Sequence, residues 1–341
     1  MPPRNERRTR EGQSTSTFGV ERQVEPVPRS VKTTREQPVF GRRRRPYITE
    51  VRHNDSAPSL QVVGSIPATG EHAELIARTD FSILDLPRPF VTPPGIELPP
   101  VDKYGWLTGP GYSALLKART PSLATRAALP DFKFHRLNEA LSMSEFGIQL
   151  ALKFNPYVVD MREQYGTYDP VDFWQANANG KRMRRSSLMT IDIIATYVQP
   201  PDFELRYHAI SVKHATYRRT EKDKRREIKE RILADKRNWT WEMLLSNAVL
   251  EQETNNYVFL WSLIRNTKVP RLYEPARRFA DRLMAYSVQG SMHSVLERRA
   301  RGLGIGLDDA YRLFASSISY GFLTLDHSKR LGRDWRIGLR G

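Results

Sequence analysis

The 341-residue chain has no cysteine, which excludes disulfides and cysteine-ligated zinc and suits a reducing compartment. It has only 7 histidines, scattered without the His-x-x-x-His spacing that would place two on one helix face, so no zinc site is expected. No apolar run reaches the ~20 residues that a membrane helix needs, and the N-terminus lacks the apolar core of a signal peptide. Negative charge is also scarce: 38 Asp and Glu stand against 54 Lys and Arg, giving a formal charge of +16. That imbalance points to a polyanionic partner, nucleic acid before anionic membrane, because no basic stretch is also clearly amphipathic. Internal repeats are not evident.

Residues 1–55 are rich in Arg, Ser, Thr and Pro and nearly free of periodic apolar residues, which predicts a disordered basic arm. Its sharpest cluster is Arg42, Arg43, Arg44 and Arg45. This is either a solvated solubilising arm or one that grips phosphates, and the excess of bases in the tail favours the second. Residues 56–130 form a proline-rich extension, partly ordered, with a short strand expected at Leu60–Val63 and an extended linker or ordered loop over residues 84–110. Tyr104 and Trp106 are its candidate anchors.

From Asp131 the texture becomes that of a folded domain. Ser142 or Ser144 can cap a helix whose apolar side is Phe146, Ile148, Leu150, Ala151, Leu152 and Phe154. Glu145 falls in its first turn, where a carboxylate is favoured by the helix dipole alone. Residues 157–165 read as a strand, 166–188 as a loop carrying the Asn179–Gly180 turn and the basic run Lys181, Arg182, Met183, Arg184, Arg185. Two apolar runs, Met189–Ala195 and Tyr207–His214, flank Gln199–Pro200–Pro201–Asp202 and predict an antiparallel hairpin. The first run holds Asp192, a carboxylate in an oily strand. The second ends Ser211-Val212-Lys213, and residues i and i+2 of a strand share a face. An Asp in such a place is salt-bridged, at a frayed strand end, or bound to metal. A charged helix over 217–239, with the apolar stripe Ile228, Ile232 and Leu233, a strand over 240–245 and a helix over 251–263 complete this domain, 131–265.

Residues 266–341 read as a second small unit: helices at 274–284, 292–301 and 309–319, then a hairpin, the order of a winged helix that binds DNA or protein. The string Gly302–Gly306 has no preceding strand and serves as a helix–helix turn, with Asp308 as the expected cap of the next helix. The fold class is therefore α/β (α+β).

Residues 131–263 read helix with Glu, strand, strand with Asp, strand ending Ser-x-Lys, charged helix, strand, the plan of a restriction-endonuclease-like core. Through Leu141–Glu145, Val158–Tyr165 with its Arg162-Glu163-Gln164-aromatic string, Met189–Asp192, Ala209–Lys213 and Glu227–Trp239, the chain resembles the TnsA endonucleases of heteromeric bacterial transposons. The resemblance covers about 130 residues and only loosely the C-terminal 70. It implies a Mg²⁺- or Mn²⁺-dependent nuclease that cuts the 5′ strands at transposon ends, in the bacterial cytoplasm and on the nucleoid when DNA-bound. Its implied partners are double-stranded DNA, a DDE-type transposase that cuts the 3′ strands and an AAA+ ATPase regulator, the last held by the C-terminal unit. Carried over, Glu145 and Asp192 are metal-binding carboxylates, the Val212 carbonyl a further ligand, and Lys213 the group that orients the attacking water and stabilises phosphate charge. The family has Gln where this chain has Ser211, a shorter and weaker ligand. The alternatives left open are a non-catalytic DNA-binding or assembly subunit on the same fold, and a resolvase or restriction-type nuclease.

Overall fold

The computed structural model describes residues 82–119, 125–181 and 187–340. The expected strand at Leu60–Val63, Arg42 to Arg45 and Arg182, Arg184 and Arg185 lie outside the described residues. The architecture is mixed α and β, with seven α-helices among the described residues.

A two-stranded ladder, β1 (Ala127–Pro130) and β2 (Leu137–Ala140), leads into helix α1 (Met143–Lys153). A four-stranded sheet follows, in the order β3 (Val158–Tyr168), β4 (Leu188–Tyr197), β5 (Arg206–Lys213), β6 (Thr240–Leu245). The first three strands are antiparallel, as expected for the hairpin, and β6 runs parallel to β5. A parallel neighbour needs a crossover connection, and helix α3 (Glu221–Lys236) lies within it. The region expected to be a loop at 166–188 is corrected. Strand β3 continues to Tyr168, and helix α2 (Pro170–Ala178) follows, because Asp169 accepts from the Val171 N–H and proline occupies the first turn, where its missing N–H costs nothing.

The two faces of the sheet are buried differently. Ile193, Ala195, Tyr197 and Ile210 belong to one apolar cluster with Ile148 and Leu152 of α1 and with Phe154, its C-cap. Ile191, Ile194, Ala209 and Tyr165 pack with Ala234, Trp239, Trp241 and Tyr112. Helix α3 turns its acids inward: Glu227, Glu230 and Ala234 are buried, whereas the expected stripe Ile228, Ile232 and Leu233 is only half-buried. Ion pairs explain this, since Arg219 binds Glu227 and Arg226 Nε binds Glu230 at 2.8 Å. Such pairing is what allows an acid to be buried.

Residues 82–119 form an ordered strap rather than an extended linker. Ile83 is fully buried and its N–H donates to Glu242. Asp102 meets Arg162 at 2.5 Å and receives the Tyr165 hydroxyl at 2.6 Å. Tyr104 and Trp106, the two expected anchors, pack edge-on against Trp239 and at a tilt against Tyr165, respectively.

The C-terminal helices are α4 (Glu251–Ile264), α5 (Tyr273–Met284), α6 (Met292–Leu303) and α7 (Leu307–Tyr320), within two or three residues of expectation. Gly304, at φ +67°, ends α6 as a left-handed cap. Asp308 is not the cap of α7; Gly306 occupies that position and Asp308 sits in the first turn. The closing hairpin is short, β7 (Thr324–Leu325) against β8 (Leu339–Arg340). One continuous apolar cluster runs from Ile83 through α1 to Phe314 and Ile337, so no gap in the core marks residue 266.

Candidate active site at a fork in the sheet

The β4–β5 ladder ends at Ile193 opposite Ile210, while β4 goes on pairing with β3 and β5 with β6. The two strands part there. In the fork Asp192 takes over the next hydrogen bond: its Oδ2 accepts the Val212 N–H at 2.8 Å. The N–H and C=O of one strand residue leave by the same edge, so the Val212 carbonyl is turned toward the Asp192 side as well.

Glu145 comes to this place from the third position of α1. Ser142 caps the helix by accepting the Glu145 N–H, and Glu145 receives the Ser142 hydroxyl at 3.2 Å and the Leu141 N–H at 3.0 Å. The expected capping role of Glu145 is thus real, yet one more donor arrives from the sheet. Gln164 Nε2 donates to Glu145 Oε2 at 3.1 Å. Burial raises the pKa of Glu145, and the nearby charge of Asp192 raises it further, against the hydrogen bonds from Leu141, Ser142 and Gln164. The Asp192 charge also raises Glu230, after burial, and against burial it adds to the larger effect of Glu230 in raising Arg226. Arg226 donates to the Thr190 carbonyl at 3.1 Å, two residues from Asp192.

Gln164 was missed as a site residue, although the Arg-Glu-Gln-aromatic string contains it. Its φ is +47°, rare for a residue that is neither Gly, Asn nor Asp. Regular alternation puts residues three apart on opposite faces. Here Arg162 and Tyr165 share a face, both bound to Asp102, with the guanidinium 4.9 Å from the Tyr165 ring centroid. Glu163 turns the other way, held by Arg136 at 2.8 Å and by Asn138. The opposite strand exchanges faces at the same rung, since Ile191 and Ile194 belong to one apolar cluster and Ile193 to the other. The left-handed turn at Gln164 aims its amide at Glu145.

The remaining expected residues are placed less tightly. Ser211 is buried and makes no hydrogen bond to either carboxylate. Lys213 is half-buried, with its Nζ 5.8 Å from the Tyr217 ring centroid, and pairs with neither Glu145 nor Asp192. Lys181 is exposed at the end of α2. The structure therefore brings Glu145, Asp192 and the Val212 backbone together, adds Gln164, and leaves Ser211 and Lys213 on the adjoining prong.

Among the described residues no three His, Asp or Glu side chains gather as a ready-made metal cluster. The donor set nevertheless suits a hard divalent cation: a Glu145 carboxyl whose pKa is raised by burial and then by the charge of Asp192, a strand carbonyl on the Asp192 side, and oxygen atoms throughout. Two concavities of about 510 and 660 Å³ lie among the C-terminal helices and share no lining residue with the fork. No family model matches the chain, and no curated protein is recognisably similar to it.

Proposed function

We propose that this chain is a metal-dependent phosphodiesterase of restriction-endonuclease-like fold that acts on DNA. Within that class, the reading best supported is a TnsA-type subunit that cuts the 5′, non-transferred strands at transposon ends. It would act beside a DDE-type transposase and an AAA+ ATPase. The single observation that carries the proposal is the fork: Asp192 on one prong, Ser211-Val212-Lys213 on the other, and Glu145 facing them from a helix start. The order α1, β3, β4, β5, α3, β6 supports it.

Glu145, Asp192 and the Val212 carbonyl would hold Mg²⁺ or Mn²⁺, which supplies Lewis-acid stabilisation of phosphoryl charge and an activated water. Gln164 keeps the Glu145 carboxylate oriented. Lys213, swung from Tyr217, is on the strand from which it can reach the scissile phosphate or its water. Lys181 and the exposed bases of α3, among them Lys222, Arg225 and Lys229, offer sequence-independent contacts to the DNA backbone.

The test is nicking of a supercoiled plasmid by the full chain with Mg²⁺ or Mn²⁺, alone and with a DDE-type transposase and AAA+ ATPase. Asp192→Ala should abolish 5′-strand cleavage and lose Mn²⁺ binding by calorimetry, while DNA binding in EDTA stays intact. In a complete reaction the product should shift from simple insertion to a cointegrate, and Glu145→Ala and Lys213→Ala should give the same shift. An Asp192→Ala protein that folds, binds DNA and still cuts normally would remove the assignment. A wild-type chain that binds DNA but neither binds the cation nor cleaves would favour the assembly-subunit reading, to which the short buried Ser211 lends weight.

A further inference from the structure

A group of arginines on α5, α6 and the closing segment after α7 is left without carboxylates. Three other exposed arginines, on α5, α6 and α7, are neutralised by their neighbours: Arg277 by Glu274 at 2.7 Å, Arg301 by Glu297 at 3.5 Å and Arg312 by Asp309 at 2.7 Å. Arg282, Arg298, Arg299, Arg330, Arg333 and Arg336 have no ion pair among the described residues. Rings and backbone carbonyls hold most of them instead. Arg299 lies 4.6 Å from the Tyr286 ring centroid and donates to the Ser287 carbonyl at 3.1 Å. Arg298 donates to the Gln289 carbonyl at 2.6 Å, and Arg282 to the Tyr286 hydroxyl at 3.5 Å. Arg330 stacks on Trp335 at 5.2 Å and Arg333 on Tyr311 at 5.6 Å.

These residues surround one segment. The loop before α6 carries Tyr286, Ser287 and Gln289, and the start of α6 is tied to the C-terminal segment, where the Met292 and His293 N–H groups donate to the Trp335 and Arg333 carbonyls at 2.7 and 2.9 Å. Tyr286 and Trp335 are both 51% exposed. Residues 328–341 hold five bases, Lys329, Arg330, Arg333, Arg336 and Arg340, against the single acid Asp334.

We propose that this face, between the start of α6 and residues 330–336, is a second DNA-binding surface that grips the phosphate backbone of duplex DNA away from the fork. A guanidinium fixed by a ring or a carbonyl keeps its remaining N–H fork free, and that fork matches phosphate geometry. Pre-ordering lowers the entropy cost of the contact. Residues 328–341 carry five bases against one acid, and a run of evenly spaced phosphates can engage several guanidiniums at once, so the charge favours duplex DNA as the occupant. The inference needs no cleavage at the fork and stands apart from the nuclease reading.

The experiment measures duplex DNA binding by the full chain in EDTA, by fluorescence anisotropy across a salt series. Arg298, Arg330, Arg333 and Arg336 are replaced together by Ala, and in a second protein by Gln, with thermal melting to show that each folds. Binding should weaken at least about tenfold, and the slope of log K against log salt should flatten by about 3 to 4, close to 0.9 for each phosphate that is no longer neutralised. Changing the paired Arg277, Arg301 and Arg312 to Ala should leave the slope within about 1 of wild type. Equal flattening by both sets would overturn the proposal, because charge alone would then explain it. So would an unchanged slope in the first set, including the case where that set instead loses binding to poly-glutamate, which would assign the face to an acidic protein.

Discussion

Replacing Gln164 by glycine should give a more stable protein than replacing it by alanine, the reverse of the usual order in a strand. Both changes remove the amide that donates to Glu145, so their comparison isolates the backbone. At φ +47° a residue with a Cβ pays about 1–2 kcal/mol for the left-handed conformation. Glycine avoids that cost but loses more entropy on folding, by about 0.5–1 kcal/mol relative to alanine. The net advantage of glycine is about 0.5–1 kcal/mol, whereas alanine would win by a similar margin at a regular strand position. Urea denaturation of the two variants reads this directly. With a slope of about 2–3 kcal/mol/M, the glycine midpoint should lie about 0.3 M higher. An alanine midpoint equal to or above that of glycine refutes the strain argument. Both variants should also lose metal-dependent nicking more than they lose DNA binding, because Glu145 is no longer held from the sheet. A protein with the expected stability order and full activity would show that the strained turn serves the fold alone.

Asp102→Ala should destabilise the protein by about 3 kcal/mol, since it leaves the fully buried Arg162 with only the longer pair to Asp160, at 3.7 Å, and removes the acceptor of the Tyr165 hydroxyl. A loss under about 1 kcal/mol in urea denaturation would show that the strap is not tied down through this pair. Glu145→Gln should change the pH dependence of metal-free stability. The Glu145 carboxyl is raised above its ordinary 4.5, by burial first and then by Asp192. Its contribution is therefore complete below that value and is lost as pH rises through the raised one, because the folded state then holds a proton the unfolded chain has released. Wild type in EDTA should lose stability across that window relative to Glu145→Gln, and added Mg²⁺ should restore wild type only. Parallel melting-temperature curves against pH would show that the carboxyl is not under this strain.

Much of the fold is local and so could be read from residues in order. Period-3.6 and period-2 apolar patterns, Ser142 before a helical run, the double proline between two β-rich runs and the glycine after α6 act over a few positions, and the elements they imply are present. Helix α2 was legible in principle through Asp169–Pro170, but charge and turn signals around it outweighed that cue. Glu145, Asp192 and the Val212–Lys213 end were candidates because a carboxylate in an apolar strand and a lysine at its neighbour's end are chemically conspicuous. What no local pattern carries is the pairing over long separations. Asp102 reaches Arg162 across 60 residues, and that contact turned a proline-rich stretch into a strap. The inward acids of α3 depend on where Arg219 and Arg226 end up, not on helical period. Gln164 is the clearest case. Its role arises from a reversal of facing shared by two strands, and the energy of that reversal resides in Arg162, Glu163 and Tyr165 being clamped from opposite sides. The placement of Lys213 against Tyr217, apart from the carboxylates, was likewise a matter of where β5 leaves β4, which is set by the packing of the whole sheet.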